Sequence, residues 1–132
     1  MFYTHEWWYR TASKTLPEVP DRAGEERVAG AVVVFAHAEG GDGERPGAVA
    51  EKFAKNVKWL AGKFGTKNVV LHSFNHLGAS KAEPGVALAL LDDVEARLVR
   101  TGYEVMRTPF GYFHEFRMHV AGDSLAKVYK EF

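Results

Sequence analysis

Val28 to His37 (VAGAVVVFAH) is a nearly continuous apolar run. It is too short to span a bilayer and lacks the strict alternation of a half-exposed strand. It therefore predicts a central strand covered on both faces. Such a strand needs covering layers, and the residues that follow change period to supply them. Val49, Phe53, Val57, Leu60 and Phe64 recur at steps of 4, 4, 3 and 4, one stripe of a helix that Pro46 opens and Gly65 stops. Asn68 to Phe74 (NVVLHSF) predicts a second buried strand. A second helix fits Pro84 to Arg100, with Val86, Leu90, Leu91, Val94 and Leu98 inward and Gly102 at its end.

The remaining segments complete a mixed sheet. Phe2 to Thr11 is rich in aromatic and β-favouring residues and predicts a strand. Leu16 to Arg27, with two prolines and several charges, reads as loop or edge, and Glu39 to Arg45 as a flexible connection. Tyr103 to Arg107 and Tyr112 to Val120 predict two strands joined by the turn-forming Thr108-Pro109-Phe110-Gly111. The tail from Asp123 to Phe132 fits either a short helix capped by Asp123 or Ser124, or an edge strand. The order β-β-α-β-α-β-β mixes crossovers with hairpins. It implies a single compact α/β domain over residues 1–132, a mixed sheet with two main helices packed on it.

Composition removes several classes of function. The chain of 132 residues has no cysteine, which excludes a disulfide framework, a thiolate nucleophile and cysteine-built metal sites, and is compatible with a reducing, cytoplasmic location. No apolar run is long enough for a transmembrane helix, and Met1 to Trp8 lacks the basic and apolar regions of a signal peptide. Neither a membrane partner nor secretion is expected. Seventeen basic residues balance seventeen acidic ones, which argues against a general nucleic-acid coat but leaves room for a grip on one RNA end.

Six histidines are candidates for chemistry. His72 and His76 are four apart, but His72 falls in a strand, no Glu of the zinc-protease type adjoins them, and no further ligand lies nearby, so no metal is expected. Alternation gives His72, Phe74 and His76 a common side. His76 lies where the strand runs out into a loop, the usual ligand-binding end of an α/β sheet, and is preferred to His72. His114 shares an apolar face with Tyr112, Phe116, Met118 and Val120. Partial desolvation there lowers an imidazole pKa and keeps it neutral near pH 7, able to position or deprotonate a hydroxyl or water. A core histidine bonded to a backbone carbonyl fits the same pattern, and both readings stand. The phosphate-cradling glycine motifs and Gly-x-Ser-x-Gly are absent. Lys52, Lys55, Lys58 and Lys63, with Trp59 among them, form the outer side of the first helix, either a solvated face or an RNA contact.

Ser73-Phe74-Asn75-His76-Leu77-Gly78, then Lys81-Ala82-Glu83-Pro84-Gly85-Val86-Ala87-Leu88, then Thr108-Pro109-Phe110-Gly111-Tyr112-Phe113-His114-Glu115-Phe116 together resemble the N-terminal editing domain of archaeal threonyl-tRNA synthetases. That family reads as an aromatic residue or proline before Ala-His-Leu, a helix opening Pro-x-Val-Ala, and later Ala-Pro-Phe-Gly-Trp-Tyr-Lys-x-Phe. Tyr3-Thr4-His5-Glu6 sits at its Leu-Ile-His segment and Gly122-Asp123-Ser124-Leu125 at its Gly-His-Pro-Leu. The resemblance covers nearly the whole chain and is poorest in the first strand and the loop to Arg27.

The resemblance implies a D-aminoacyl-tRNA deacylase-like fold, a homodimer, no cofactor, and hydrolysis of the ester of L-seryl-tRNA(Thr). The implied partners are the tRNA(Thr) acceptor end carrying serine and a synthetase catalytic domain, joined in cis or met in trans. His76 and His114 become the catalytic candidates. Ser73, Asn75, Phe110, Phe113 and Lys127 become the substrate-binding ones. His114 stands where the family usually has lysine, Phe113 where it has tyrosine and Lys127 where it has glutamate. Chemistry that survives these exchanges is driven by the substrate, whose terminal 2′-hydroxyl adjoins the scissile ester. The alternatives are a D-aminoacyl-tRNA deacylase and an inactive RNA-end or protein-interaction module.

Overall fold

A computed structural model describes all 132 residues. Five strands and two long helices follow one another along the chain: β1 (Phe2–Lys14), β2 (Glu25–Ala36), α1 (Pro46–Lys63), β3 (Asn68–Ser73), α2 (Pro84–Arg100), β4 (Glu104–Arg107) and β5 (Tyr112–Val120). They build one mixed sheet in the order β4-β3-β2-β1-β5. The pairs β2–β3 and β3–β4 are parallel, whereas β1 runs antiparallel to both β2 and β5. Single helical turns occupy Asp42–Glu44 and Ser124–Ala126.

Both faces of β2 and β3 are buried, as the apolar runs require. Val32, Val34, Val69 and Leu71 meet the stripes of α1 and α2, including Val49, Phe53, Val57, Leu60, Leu90, Leu91, Val94 and Leu98. Trp7, Tyr9, Ala31, Val33 and Val70 form a smaller core on the opposite face. Gly65 closes α1 at φ 63°, a left-handed conformation that costs glycine little.

Local turn chemistry does not pair the last two strands. β4 bonds only to β3 and β5 only to β1, so they lie at opposite edges. The expected hairpin at Thr108–Gly111 is instead a bridge. It can be short because the sheet curls: three strand spacings, roughly 14 Å in a flat sheet, separate β3 from β5, yet the rings of His72 and His114 are 5.4 Å apart. β1 and β2 also extend further into the loop than their composition predicts, because the ladder from Trp7↔Val28 to Arg10↔Glu25 satisfies backbone groups while the charged side chains face water. The tail combines both expectations, one helical turn followed by an antiparallel bridge from Lys127 to Phe2.

Candidate functional site

The C-terminal end of β3, the start of α2, the Thr108–Gly111 bridge and the start of β5 enclose a cavity of about 500 Å³. Each element contributes for a local reason. β3 runs out at Ser73, and the loop beyond it is held by the β2 extension. Phe74 N–H donates to Ala36 O (2.8 Å) and Ala82 N–H to Ala38 O (2.8 Å). His37 clamps the same loop, with Nδ1 accepting from Leu77 N–H (3.1 Å) and Nε2 lying 2.5 Å from Ser80 O. An accepting Nδ1 places the ring proton on Nε2, which donates to Ser80. Pro84 begins α2, and Gly111 (φ 82°) lets the bridge turn into β5.

The cavity floor is a pair of imidazoles. His72 is buried, and its Nδ1 lies 2.9 Å from the Thr108 hydroxyl oxygen. Burial, assisted by repulsion from His114, pushes its pKa down to about 4. Burial also lowers the His114 pKa. The His114 Nε2 is buried without a hydrogen-bond partner, and its ring meets Tyr9 edge-on at 5.4 Å. Of the two sequence readings of His114, the backbone-bonded core histidine is absent. The floor is therefore uncharged at neutral pH. Phe74, Phe110 and Phe116 form apolar walls, and Ser73, Asn75, His76 and Lys81 provide the polar rim. His76 is exposed, its ring edge-on to Phe74 at 5.0 Å. No carboxylate lines this space. No group of three histidine, aspartate or glutamate side chains is arranged to hold a metal ion.

Ser73, Asn75, His76, Phe110, Phe113 and His114 are brought together here from two separated segments, 73–76 and 110–114, with Phe113 at the mouth and 65% exposed. Lys127 is not among them. Its Nζ donates to Ala121 O (2.9 Å) and Asp123 O (3.4 Å), and it lines a second cavity of about 370 Å³ between β2, α1 and the tail. The sequence reading passed over four contributors. His72 shares the strand face of Phe74, a signal that favouring the loop histidine discounted. Lys81 lies in a polar loop with no periodicity to mark it. Thr15 and Leu16 come from the loop after β1, whose fold onto the site depends on Thr15 N–H donating to Gly111 O (2.7 Å).

A family model described as the archaea-specific editing domain of threonyl-tRNA synthetase matches residues 1–132. The threonine–tRNA ligase of Hyperthermus butylicus is 35% identical over 130 residues, covering 94% of this chain and 21% of that protein. That of Methanopyrus kandleri is 36% identical over 104 residues, covering 79% and 17%. That of Thermococcus kodakarensis is 33% identical over 123 residues, covering 91% and 20%. The chain spans about a fifth of the length of these relatives.

Proposed function

The chain belongs to the archaea-specific editing domain family of threonyl-tRNA synthetase, and from that premise we propose that it proofreads tRNA(Thr) by hydrolysing the ester of a wrongly attached serine. Serine differs from threonine by one methyl group, and a synthetic pocket gains only about 1–3 kcal/mol from such a group. A second site that accepts the smaller product and destroys it supplies the missing discrimination.

The convergence of Ser73, Asn75, His76, Phe110, Phe113 and His114 on one cavity carries this reading. Hydrolysis adds a water oxygen to the ester carbonyl carbon, breaks the bond to the ribose 3′ oxygen and returns a proton to that oxygen. No carboxylate lines the cavity, and this reading assigns the proton to the imidazoles and to the substrate itself. His114, held neutral by burial, orders the water or the serine amino group. His76 at the rim hydrogen-bonds the ribose or the ester. The free 2′-hydroxyl of the terminal adenosine orients the water, and the cavity contributes mainly by positioning. The domain acts as a homodimer in the cytoplasm, with its synthetase catalytic domain in cis or in trans.

Substoichiometric protein is expected to release serine from seryl-tRNA(Thr) over many turnovers. His114→Ala should slow release by about 10²-fold, and His76→Ala by about tenfold, the loss of one hydrogen bond to substrate. Variants equal to wild type would remove the side-chain roles; serine that leaves only at the spontaneous rate removes the function. Parallel assays with threonyl- and D-aminoacyl-tRNA separate this reading from a chirality-based deacylase. The Lys127 amine, tied to backbone carbonyls outside the cavity, favours a second reading, an RNA-end-binding module without turnover. RNA binding with no serine release is its signature.

A further inference from the structure

We propose that the outer face of α1 binds the phosphate backbone of the tRNA whose 3′ end enters the cavity, an inference that rests on the editing reading for the identity of the RNA. Lys52, Lys55, Trp59 and Lys63 fall at steps of 3, 4 and 4, and all four are exposed. Lys58 lies beside them, half-buried, and Lys130 reaches in from the tail with Nζ 5.8 Å from the centre of the Trp59 ring. None of these five lysines takes part in an ion pair. Every one in the protein involves Arg10, Lys14, Arg27, Arg97 or Arg107 instead. Glu51 is the only acid in α1.

The whole chain carries no net charge, so this concentration of lysine leaves the rest of the molecule net acidic. A solvated face has no need of that separation; an anionic partner does. The stripe from Lys52 to Lys63 extends about 16 Å along the helix axis, a length that passes several phosphates of a duplex. Direction favours the same partner. α1 is the crossover between parallel strands, so its N-terminal end lies at the C-terminal ends of β2 and β3, the end of the sheet at which the cavity opens on the opposite face, and an RNA that follows the stripe must cross that end to reach it. An RNA lying along the stripe meets Lys63 furthest from the cavity and Lys52 nearest it. Trp59, 41% exposed, adds a surface on which an unpaired base can stack.

The test measures binding of unacylated tRNA(Thr) across a salt series by wild type and by the triple variant Lys52→Gln, Lys55→Gln, Lys63→Gln, in which glutamine preserves helix propensity. Removing three phosphate contacts is expected to weaken binding at least about tenfold near 0.1 M salt. The slope of log K against log salt should flatten by about 2 to 3. An unchanged unfolding midpoint in the variant confirms that the loss is local. Equal affinity and slope in the two proteins would overturn the proposal. So would displacement of tRNA by polyglutamate of matched charge as readily as by unlabelled tRNA, which would point to an acidic protein partner. Serine release is measured separately on wild type. Binding that depends on the stripe without serine release leaves this surface standing and removes the editing reading; release with unaltered binding in the variant does the reverse.

Discussion

Burying an imidazole removes the water that would stabilise its cation, and His72 is the most deeply buried histidine of the chain, 4% exposed. Its Nδ1 hydrogen-bonds the Thr108 hydroxyl in either direction, so the neutral ring is satisfied and the charged one is penalised. In the unfolded chain the same ring titrates near 6.5; in the folded protein it does so near 4. Between those values the unfolded state binds the extra proton. The contribution of His72 is therefore complete above pH 6.5 and disappears as pH falls toward 4, a total of about 3 kcal/mol. Urea unfolding of wild type and His72→Gln at pH 7.5 and pH 4 isolates this group from the carboxylates that titrate in the same range. Wild type is expected to lose about 3 kcal/mol more than the variant. Matching losses would contradict a neutral imidazole at this position. The same burial reaches His114 across 5.4 Å, so the two rings resist being charged together.

At the scale of elements, the bridge from β4 to β5 decides whether the cavity exists. Gly111 adopts φ 82°, and a β-carbon there would lie 2.9 Å from both γ-carbons of Val19 and 3.4 Å from Leu16 Cβ. Gly111→Ala thus combines left-handed strain with a steric clash and is expected to cost about 2–4 kcal/mol of unfolding free energy, read from denaturant titration. It should also raise KM for the proposed aminoacyl-tRNA substrate, because Phe110 and Tyr112 flank the shifted residue. Gly78→Ala is the control. Its β-carbon would approach the mobile end of Glu39 at 2.8 Å, and a side-chain rotation relieves that at a cost of about 0.5 kcal/mol. Equal effects from the two substitutions would deny the bridge its part. This element also shows where sequence reasoning stopped. The Val28–His37 run and the helix stripes specify buried faces, which depend on each residue's own chemistry, and those elements were legible. Thr108–Gly111 carries the local signals of a hairpin turn. That its flanking strands join opposite sheet edges depends on the curl of β1 and β5, a property of no single segment. Six of the seven candidate site residues meet because the motifs lie at strand ends; His72 ranks below His76 in the sequence because it lies within the strand, and Lys81 sits in a polar loop with no period to mark it.

Over the whole molecule, the two edges of the sheet differ in how they are protected. β4 is four residues long, and its Arg107 is tied to Asp92 and Glu95 on α2. β5 offers nine residues of outer backbone, with Phe113 and Phe116 exposed beside it. Its ion pair from Glu115 to Arg10 is solvent-exposed and contributes little. A long open edge invites pairing with another strand, and a chain of zero net charge offers little repulsion against a second copy. The proposed homodimer is therefore expected to cover β5. Sedimentation should give twice the 14.7 kDa chain mass at micromolar concentration, and the thermal midpoint should rise with concentration as mass action requires. Amide exchange along Tyr112–Val120 should quicken on dilution while the β3 amides, buried in the monomer, remain protected. A chain that sediments as a monomer at about 100 μM, a dissociation constant weak for a stable dimer, would remove the homodimer. A dimer whose β5 amides exchange at one rate across the dilution series would keep the assembly and place its interface elsewhere.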